Sequence, residues 1–565
     1  MRSLKVFFLG LGIIISNLYG HNLEVEYAKA MDRLNNGKEL YFSFYANSLL
    51  SLEEIDRVVS VDKREGSLVY AYAGNKQQFE NFLDFDLVYH VEIHPGERFP
   101  VECSDYKNFK TSDRIDKWPS YEGYLNLMEQ FETDYPDLIE VKEFGESIKG
   151  RKMLCAVITG KKEIPRPNVL WLGAIHGDEL TGTMCSFRMI QYLMERYKAD
   201  DPRIMRIVDS TQIWIVPFQN PDGTYAGGNS SVYGARRTNA NGVDLNRSFK
   251  CLPGVIPDAK EQQETRNSYK LVEENFFTIG CDSHGGVECY IHPWSHKSQA
   301  HPQAALYKKM GEYLVDKTVG GISGGVGTPF ETIGYTGNGT QTDYMDYHGK
   351  VMNFCFEMSR TKLIKENDFD RYWDKYREMM LSFYELAFTG IQGIIRDSVT
   401  NKGIDSVEVM VEGENEDFLK RYSYNGGFYC RMIIDGTYTL KFSHKDYYPR
   451  TIQNVQVVSL KRTPLSIKMM PLNSGIVKNS FVQNHPLLNI VRQKGKVIFT
   501  VTGKAKLSDI RLYTINGKLV QVIQPDNDSD HYIWDQNPGK IAMGCYFVGI
   551  KFDGKNALKR FILTQ

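Results

Sequence analysis

Residues Asn168–Tyr197 read NVLWLGAIHGDELTGTMCSFRMIQYLMERY. The opening NVLWLGAI is a short, almost wholly apolar run, which predicts a strand buried on both faces. The stretch from Glu179 reads as a long helical segment. A buried strand feeding directly into a helix is the repeating unit of α/β folds. The pattern recurs downstream in QIWIVPF, FFTIGCDS and VMNFCFEM, each separated from the next by longer helical stretches. Residues from about 119 to 388 are therefore expected to form an α/β/α layered domain with a mixed sheet.

Working outward, the chain has 565 residues, roughly four domains at about 150 residues each. Residues 22–110 alternate short apolar runs (LYFSFYA, SLVYAYAG, LVYHVEIH) with helical patches (LEVEYAKAMDRL, NKQQFENFLDF), as a small α+β domain would. The polar stretch KNFKTSDRIDKWPSY suits a linker or a processing site. Residues 391–472 change to short β-rich runs punctuated by NG and DG turns, the pattern of a β-sandwich. Residues 484–565 repeat that style and predict a second one. The start, MRSLKVFFLGLGIIISNLYG, has a basic beginning and an apolar core too short to span about 30 Å of hydrocarbon. Residues 1–20 thus read as a secretory signal peptide, with a buried terminal helix as the alternative. A secreted or cell-surface protein without a membrane span is expected.

Lys and Arg number 68 against 69 Asp and Glu, a net charge of −1. No global excess of positive charge exists to replace counterions, so nucleic acid is disfavoured as a partner. Nine cysteines is an odd and sparse set without CxxC spacing. Neither a cysteine-zinc site nor a disulfide scaffold is indicated. Cys155, Cys281 and Cys355 lie in apolar runs, where buried free thiols are the simpler reading.

Four separated pieces carry chemistry. His176 and Glu179 in HGDE stand three apart at a strand-to-helix corner, where both can point at one metal ion; a surface loop is the plain alternative. His284 in CDSHGG ends another apolar run and could supply a third ligand, 108 residues from His176. Glu288, His292 and His296 continue its four-residue spacing, but Gly285, Gly286 and Pro293 oppose a helix there, so these are not expected to be ligands. The loop RRTNANGVDLNR, Arg236 to Arg247, concentrates three arginines suited to fork-like binding of a carboxylate. Glu357 in NFCFEMS places a carboxylate in an apolar strand, which is rare unless it is paired or functional.

In this order the pieces resemble the zinc metallocarboxypeptidase (funnelin) family, in its regulatory carboxypeptidase-like branch. The resemblance implies one Zn²⁺ held by His176, Glu179 and His284. It implies Glu357 as general base and Arg237, with Arg236 as the alternative, polarising the scissile carbonyl. Asn246, Arg247 and Tyr335 would hold the substrate's terminal carboxylate, and Asp244 would orient His176. Tyr335 lies 22 residues before Glu357, in GYTGNGTQTDY, which matches the family's spacing. Two departures stand out: Ser248 replaces the usual Asn after NR, and Asp178 stands where pancreatic-type members have Arg. Thr342, at a pocket-lining place, is neither an acid nor a large apolar residue.

The implied function is removal of C-terminal amino acids from peptides or proteins, with Lys or Arg as first expectation because HGDE resembles the regulatory branch. Residues 391–472 resemble the transthyretin-like domain of that branch, and 484–565 resemble a bacterial type IX secretion sorting domain, which would make outer-membrane secretion machinery a partner. Residues 22–110 occupy the place of a propeptide. Alternatives are a cell-wall peptide carboxypeptidase, an amidohydrolase on small acyl-amino acids, and a non-catalytic surface binding protein on the same fold.

Overall fold

The computed structural model describes residues 23–46 and 52–472, together with strand segments between 487 and 563. The expected signal peptide lies outside the described residues. The chain divides into two compact units. The larger runs to Arg396 and takes in Asn401–His444 and Pro449–Lys468; the smaller comprises Asp397–Thr400, Lys445–Tyr448 and the chain from Met469.

Near the N-terminus, strands β1 (Leu40–Tyr45), β2 (Ser60–Glu65), β3 (Leu68–Ala73) and β4 (Tyr89–Val91) form an antiparallel sheet in the order β2-β3-β1-β4. Strand periodicity sorts its side chains between two faces. Phe42, Phe44, Val69, Ala71 and Ala73 pack with Ala30 and Leu34 of helix Leu23–Asn35 and with Phe79 and Phe82 of helix Lys76–Leu83. Tyr41 and Tyr72 point the other way, and the Tyr72 hydroxyl donates to Asp178 at 2.8 Å.

The central sheet has eight strands: β5 (Ile139–Glu146), β6 (Lys152–Ile158), β7 (Asn168–Gly173), β8 (Gln212–Val216), β9 (Ile279–His284), β10 (Glu288–Ile291), β11 (Val326–Gly327) and β12 (Met352–Met358). Their order is β11-β10-β12-β9-β7-β8-β6-β5. The inner strands β12, β9, β7 and β8 are parallel, while β10 and β6 run antiparallel to their inner neighbours. The sheet is mixed, as the sequence predicts. Both faces are covered, which explains why β7 reads as a continuous apolar run. Val169 and Trp171 join the core under helices Thr181–Lys198 and Phe369–Leu386. Leu170 and Leu172 join the opposite core with Leu271 and Val272 of helix Gln263–Glu274.

Beyond residue 390 the larger unit includes two small sheets. One pairs Gly390–Asp397 with Phe428–Arg431 and Arg462–Pro464; the other pairs Glu408–Val411 with Arg421–Tyr422 and Gly436–His444. In the smaller unit, Lys496–Thr502 lies between Leu487–Gln493 and His531–Asp535. A second sheet there has the order Leu519–Ile523, Leu507–Thr514, Gly544–Phe552, Lys555–Leu563. Eight described cysteines are free thiols, with Cys155, Cys281 and Cys355 buried.

Candidate active site

Three adjacent parallel strands, β7, β9 and β12, deliver the central side chains at their carboxyl ends, where open α/β sheets place their sites. His176 and Glu179 follow β7, in the turn before helix Thr181–Lys198. His284 is the last residue of β9, and Glu357 stands directly opposite it in the ladder with β12. The turn needs Gly177: a Cβ there would lie 2.3 Å from the backbone of Gly223.

The three expected ligands converge. His176 Nδ1 and His284 Nδ1 are 3.1 Å apart, and Glu179 Oε2 lies 3.0 Å from the first and 2.8 Å from the second. Each imidazole turns its other nitrogen to a carboxylate. His176 Nε2 meets Asp244 Oδ1 at 3.1 Å, and His284 Nε2 meets Asp282 Oδ2 at 3.1 Å. Those contacts place the ring protons on Nε2, so both Nδ1 lone pairs and a carboxylate oxygen face one point. Three electron-rich atoms gathered this closely can hold a metal ion. A tetrahedral ion with bonds of about 2.0–2.1 Å would hold its ligands about 3.3 Å apart. The donor set and its carboxylate support therefore fit zinc.

Arg237 reaches the same point. Its Nη1 lies 3.0 Å from both His176 Nδ1 and Glu179 Oε1, and its Nε donates to Asp244 Oδ2 at 3.1 Å. Arg236 is half-buried and does not line the cavity, so of the two arginines only Arg237 is in position. Asp244 is buried, which alone would raise its pKa, yet Arg237 and His176 hold it well below the usual carboxylate range. It also caps the short 3₁₀ turn Leu245–Arg247, accepting from Asn246 N at 2.8 Å. That turn presents Asn246 and Arg247 to a cavity also lined by Tyr335 and Glu357. Ser248 stays behind it, donating to Leu245 O at 2.8 Å.

Glu357 Oε2 is buried and has no hydrogen-bond partner. Burial above all, and then the charge of Glu179, pushes the Glu357 carboxyl up to about 7. Such a group can take up and release a proton near neutrality. Glu288, His292 and His296 stay apart from His176, Glu179 and His284. Glu288 pairs with Lys375, His292 with Pro293 O, and His296 with Asp343.

Sequence reasoning missed several members. Asp282 lies two residues before His284, on the same face of β9, a spacing that could have revealed it. Lys362, fully buried, donates to Glu179 Oε1 at 2.5 Å and pairs with Asp62 at 2.6 Å; no local pattern marks it. Most unexpected is the segment Asp56–Asp62. Asp56 accepts from Arg247 Nε at 2.5 Å, Ser60 donates to Asp244 at 2.5 Å, and Asp62 lines the cavity. The Tyr335 hydroxyl donates to Asp62 O at 2.9 Å.

A family model described as zinc carboxypeptidase matches residues 124–379. The catalytic chain of carboxypeptidase N from Rattus norvegicus is 26% identical over 387 residues, covering 59% of this chain and 81% of that protein. Carboxypeptidase D from Mus musculus is 25% identical over 398 residues, covering 61% of this chain and 28% of that protein. Among solved structures, carboxypeptidase A from Helicoverpa armigera aligns with a TM-score of 0.47 and 16% identity, over 62% of this chain and 97% of that one. With the family match covering the sheet and the His-Glu-His cluster alike, residues 124–379 form a peptidase M14 zinc carboxypeptidase domain.

Proposed function

We propose that this protein hydrolyses the last peptide bond of peptides or proteins and releases the C-terminal residue. The observation that carries this is one cavity shared by the metal-ligand cluster, Glu357 and Arg247. A zinc ion held by His176, Glu179 and His284 would supply Lewis-acid activation of water and of a peptide carbonyl. Glu357 takes a proton from the attacking water and returns it to the leaving amine. Arg237 faces the developing negative charge on the carbonyl oxygen. Arg247, Asn246 and Tyr335 bind the free carboxylate, which makes the reaction exopeptidic. An amidohydrolase need not keep that carboxylate clamp, and a surface binder has no need of a base beside a metal-ligand cluster.

Residues 22–110 act, in this proposal, as an inhibitory segment. Asp56 supports this: its carboxylate sits on Arg247, where a substrate's terminal carboxylate would bind. Export is proposed from the apolar N-terminal start, and passage through secretion machinery from the resemblance of 484–565. Among the described residues no helix is long and apolar enough to cross a membrane. The expected preference for Lys or Arg rests on the resemblance to the regulatory branch, and it calls for a carboxylate partner in the cavity.

The test is residue release from peptides ending in Lys, Arg, Phe, Leu, Glu or diaminopimelate. Glu357→Gln is expected to lower kcat by about 10²–10⁴ while zinc content stays stoichiometric. Equal activity in wild type and variant would overturn Glu357 as the base. Preferred release of diaminopimelate would favour a cell-wall substrate.

A further inference from the structure

We propose, on the carboxypeptidase reading above, that the cavity selects C-terminal residues with uncharged, mainly apolar side chains, rather than Lys or Arg. Three carboxylates face the cavity, and each is committed. Glu179 belongs to the metal cluster and is held by Arg237 and Lys362. Glu357 is the base. Asp62 pairs with Lys362 and comes from the N-terminal region.

The rest of the wall is formed mainly by Ile291, Ile333, Cys355, Ser295, Thr340 and Thr342. None carries a negative charge. Two carboxylates lie behind this wall, and both are engaged. Asp282 receives His284 Nε2, Asn353 Nδ2 and the Thr342 hydroxyl. Asp343 receives Ser295 N, His296 N and His296 Nδ1, the last at 2.6 Å. A lysine or arginine side chain would have to break these bonds to find a counter-charge.

The same cavity already holds Arg237 and Arg247 and would hold a zinc dication. Release of residues 22–110 would also remove Asp62, leaving the cavity more positive. A cation buried there would be desolvated without a partner, which costs more than any contact with the aliphatic walls returns. An apolar side chain meets Ile291, Ile333 and the Cys355 thiol with no such cost. Ser295 and Thr342, short and uncharged, are the specificity-determining positions.

The experiment uses the zinc-loaded full chain and its Asp56→Asn variant, which frees Arg247. kcat/KM is measured on peptides that differ only in a final Val, Leu, Phe, Lys or Arg. At least tenfold higher values for the apolar set are expected. Equal or better release of Lys or Arg would overturn the proposal and leave the carboxypeptidase reading standing. No release from any peptide, also after limited proteolysis has removed residues 22–110, would overturn both together, a distinguishable outcome. Ser295→Asp is expected to shift the Lys-to-Leu ratio at least tenfold toward Lys. An unchanged ratio in folded, zinc-containing Ser295→Asp protein would count against this wall as the selector.

Discussion

Two aspartates do for the histidines what a bare ligand set cannot. Asp244 and Asp282 each fix a tautomer and a ring orientation, so both Nδ1 atoms point inward. Asp282→Asn keeps the shape but weakens the acceptor for His284. Zinc affinity is expected to fall about 10–100-fold, read by competition with a chromogenic chelator. Unchanged affinity would mean that β9 alone orients the ring. His176, Glu179, His284 and Glu357 were legible as candidate ligands and a candidate base because each sits at an abrupt change of pattern, a polar residue ending or interrupting an apolar strand. Lys362 was not legible. Its partners, Glu179 and Asp62, are 183 and 300 residues away in sequence, and nothing next to it breaks a pattern. Adjacent arginines carry the same local signal; the resemblance put Arg237 ahead of Arg236, and the folded loop sets Arg237 in the cavity.

At the scale of elements, the segment Asp56–Asp62 and its strand β2 interlock with the loop that carries Arg247. The Asp56–Arg247 pair is buried on both sides. Removing one partner of a buried pair commonly costs about 3–5 kcal/mol, so Asp56→Asn should loosen this contact. Several-fold higher kcat/KM for a small peptide is expected from full-length Asp56→Asn, and an unchanged value would argue against inhibition by this segment. Glu39, just before β1, holds the same junction from another side. It accepts from Arg237 N, Thr238 N and the Thr238 hydroxyl, and pairs with His94 at 2.9 Å. Burial alone would raise its pKa, but His94 and these donors bring it down to about 2, from an ordinary 4.5. Its stabilising contribution is therefore complete above pH 4.5 and fades as pH falls toward 2. The shift corresponds to something on the order of 3 kcal/mol. Proteolytic sensitivity of residues 23–91 should rise across that window in wild type, and Glu39→Gln should flatten the rise. The strands and helices of this region were readable from period-two and helical patterning. Its grip on the loop that carries Arg237 and Arg247 was not, because polar contacts between distant segments leave no periodic trace.

For the whole molecule, metal and fold should be linked. A ligand that binds only the native state stabilises it by about 4 kcal/mol at a thousandfold excess over Kd. Chelation of zinc is therefore expected to lower Tm of the unit containing the central sheet by several degrees. Calorimetry before and after EDTA, with zinc added back, checks this; identical scans would mean that the site adds nothing to stability. The layered α/β architecture was evident from runs such as NVLWLGAI, since a strand covered on both faces has no polar side to show. The order of the eight strands was not, because hydrophobic periodicity records burial and says nothing about neighbours.

The direct pairing of His284 with Glu357 across β9 and β12 ties chemistry to alignment. Were β12 to slide by a single position, period two would carry the carboxylate to the opposite side of the sheet, into the packed core. The hydrogen bonds that hold these two strands in place are thus also the gauge that sets the proposed base beside the candidate ligand His284. A variant that shifts this register is expected to separate Glu357 from His284 and so to abolish the proposed hydrolysis.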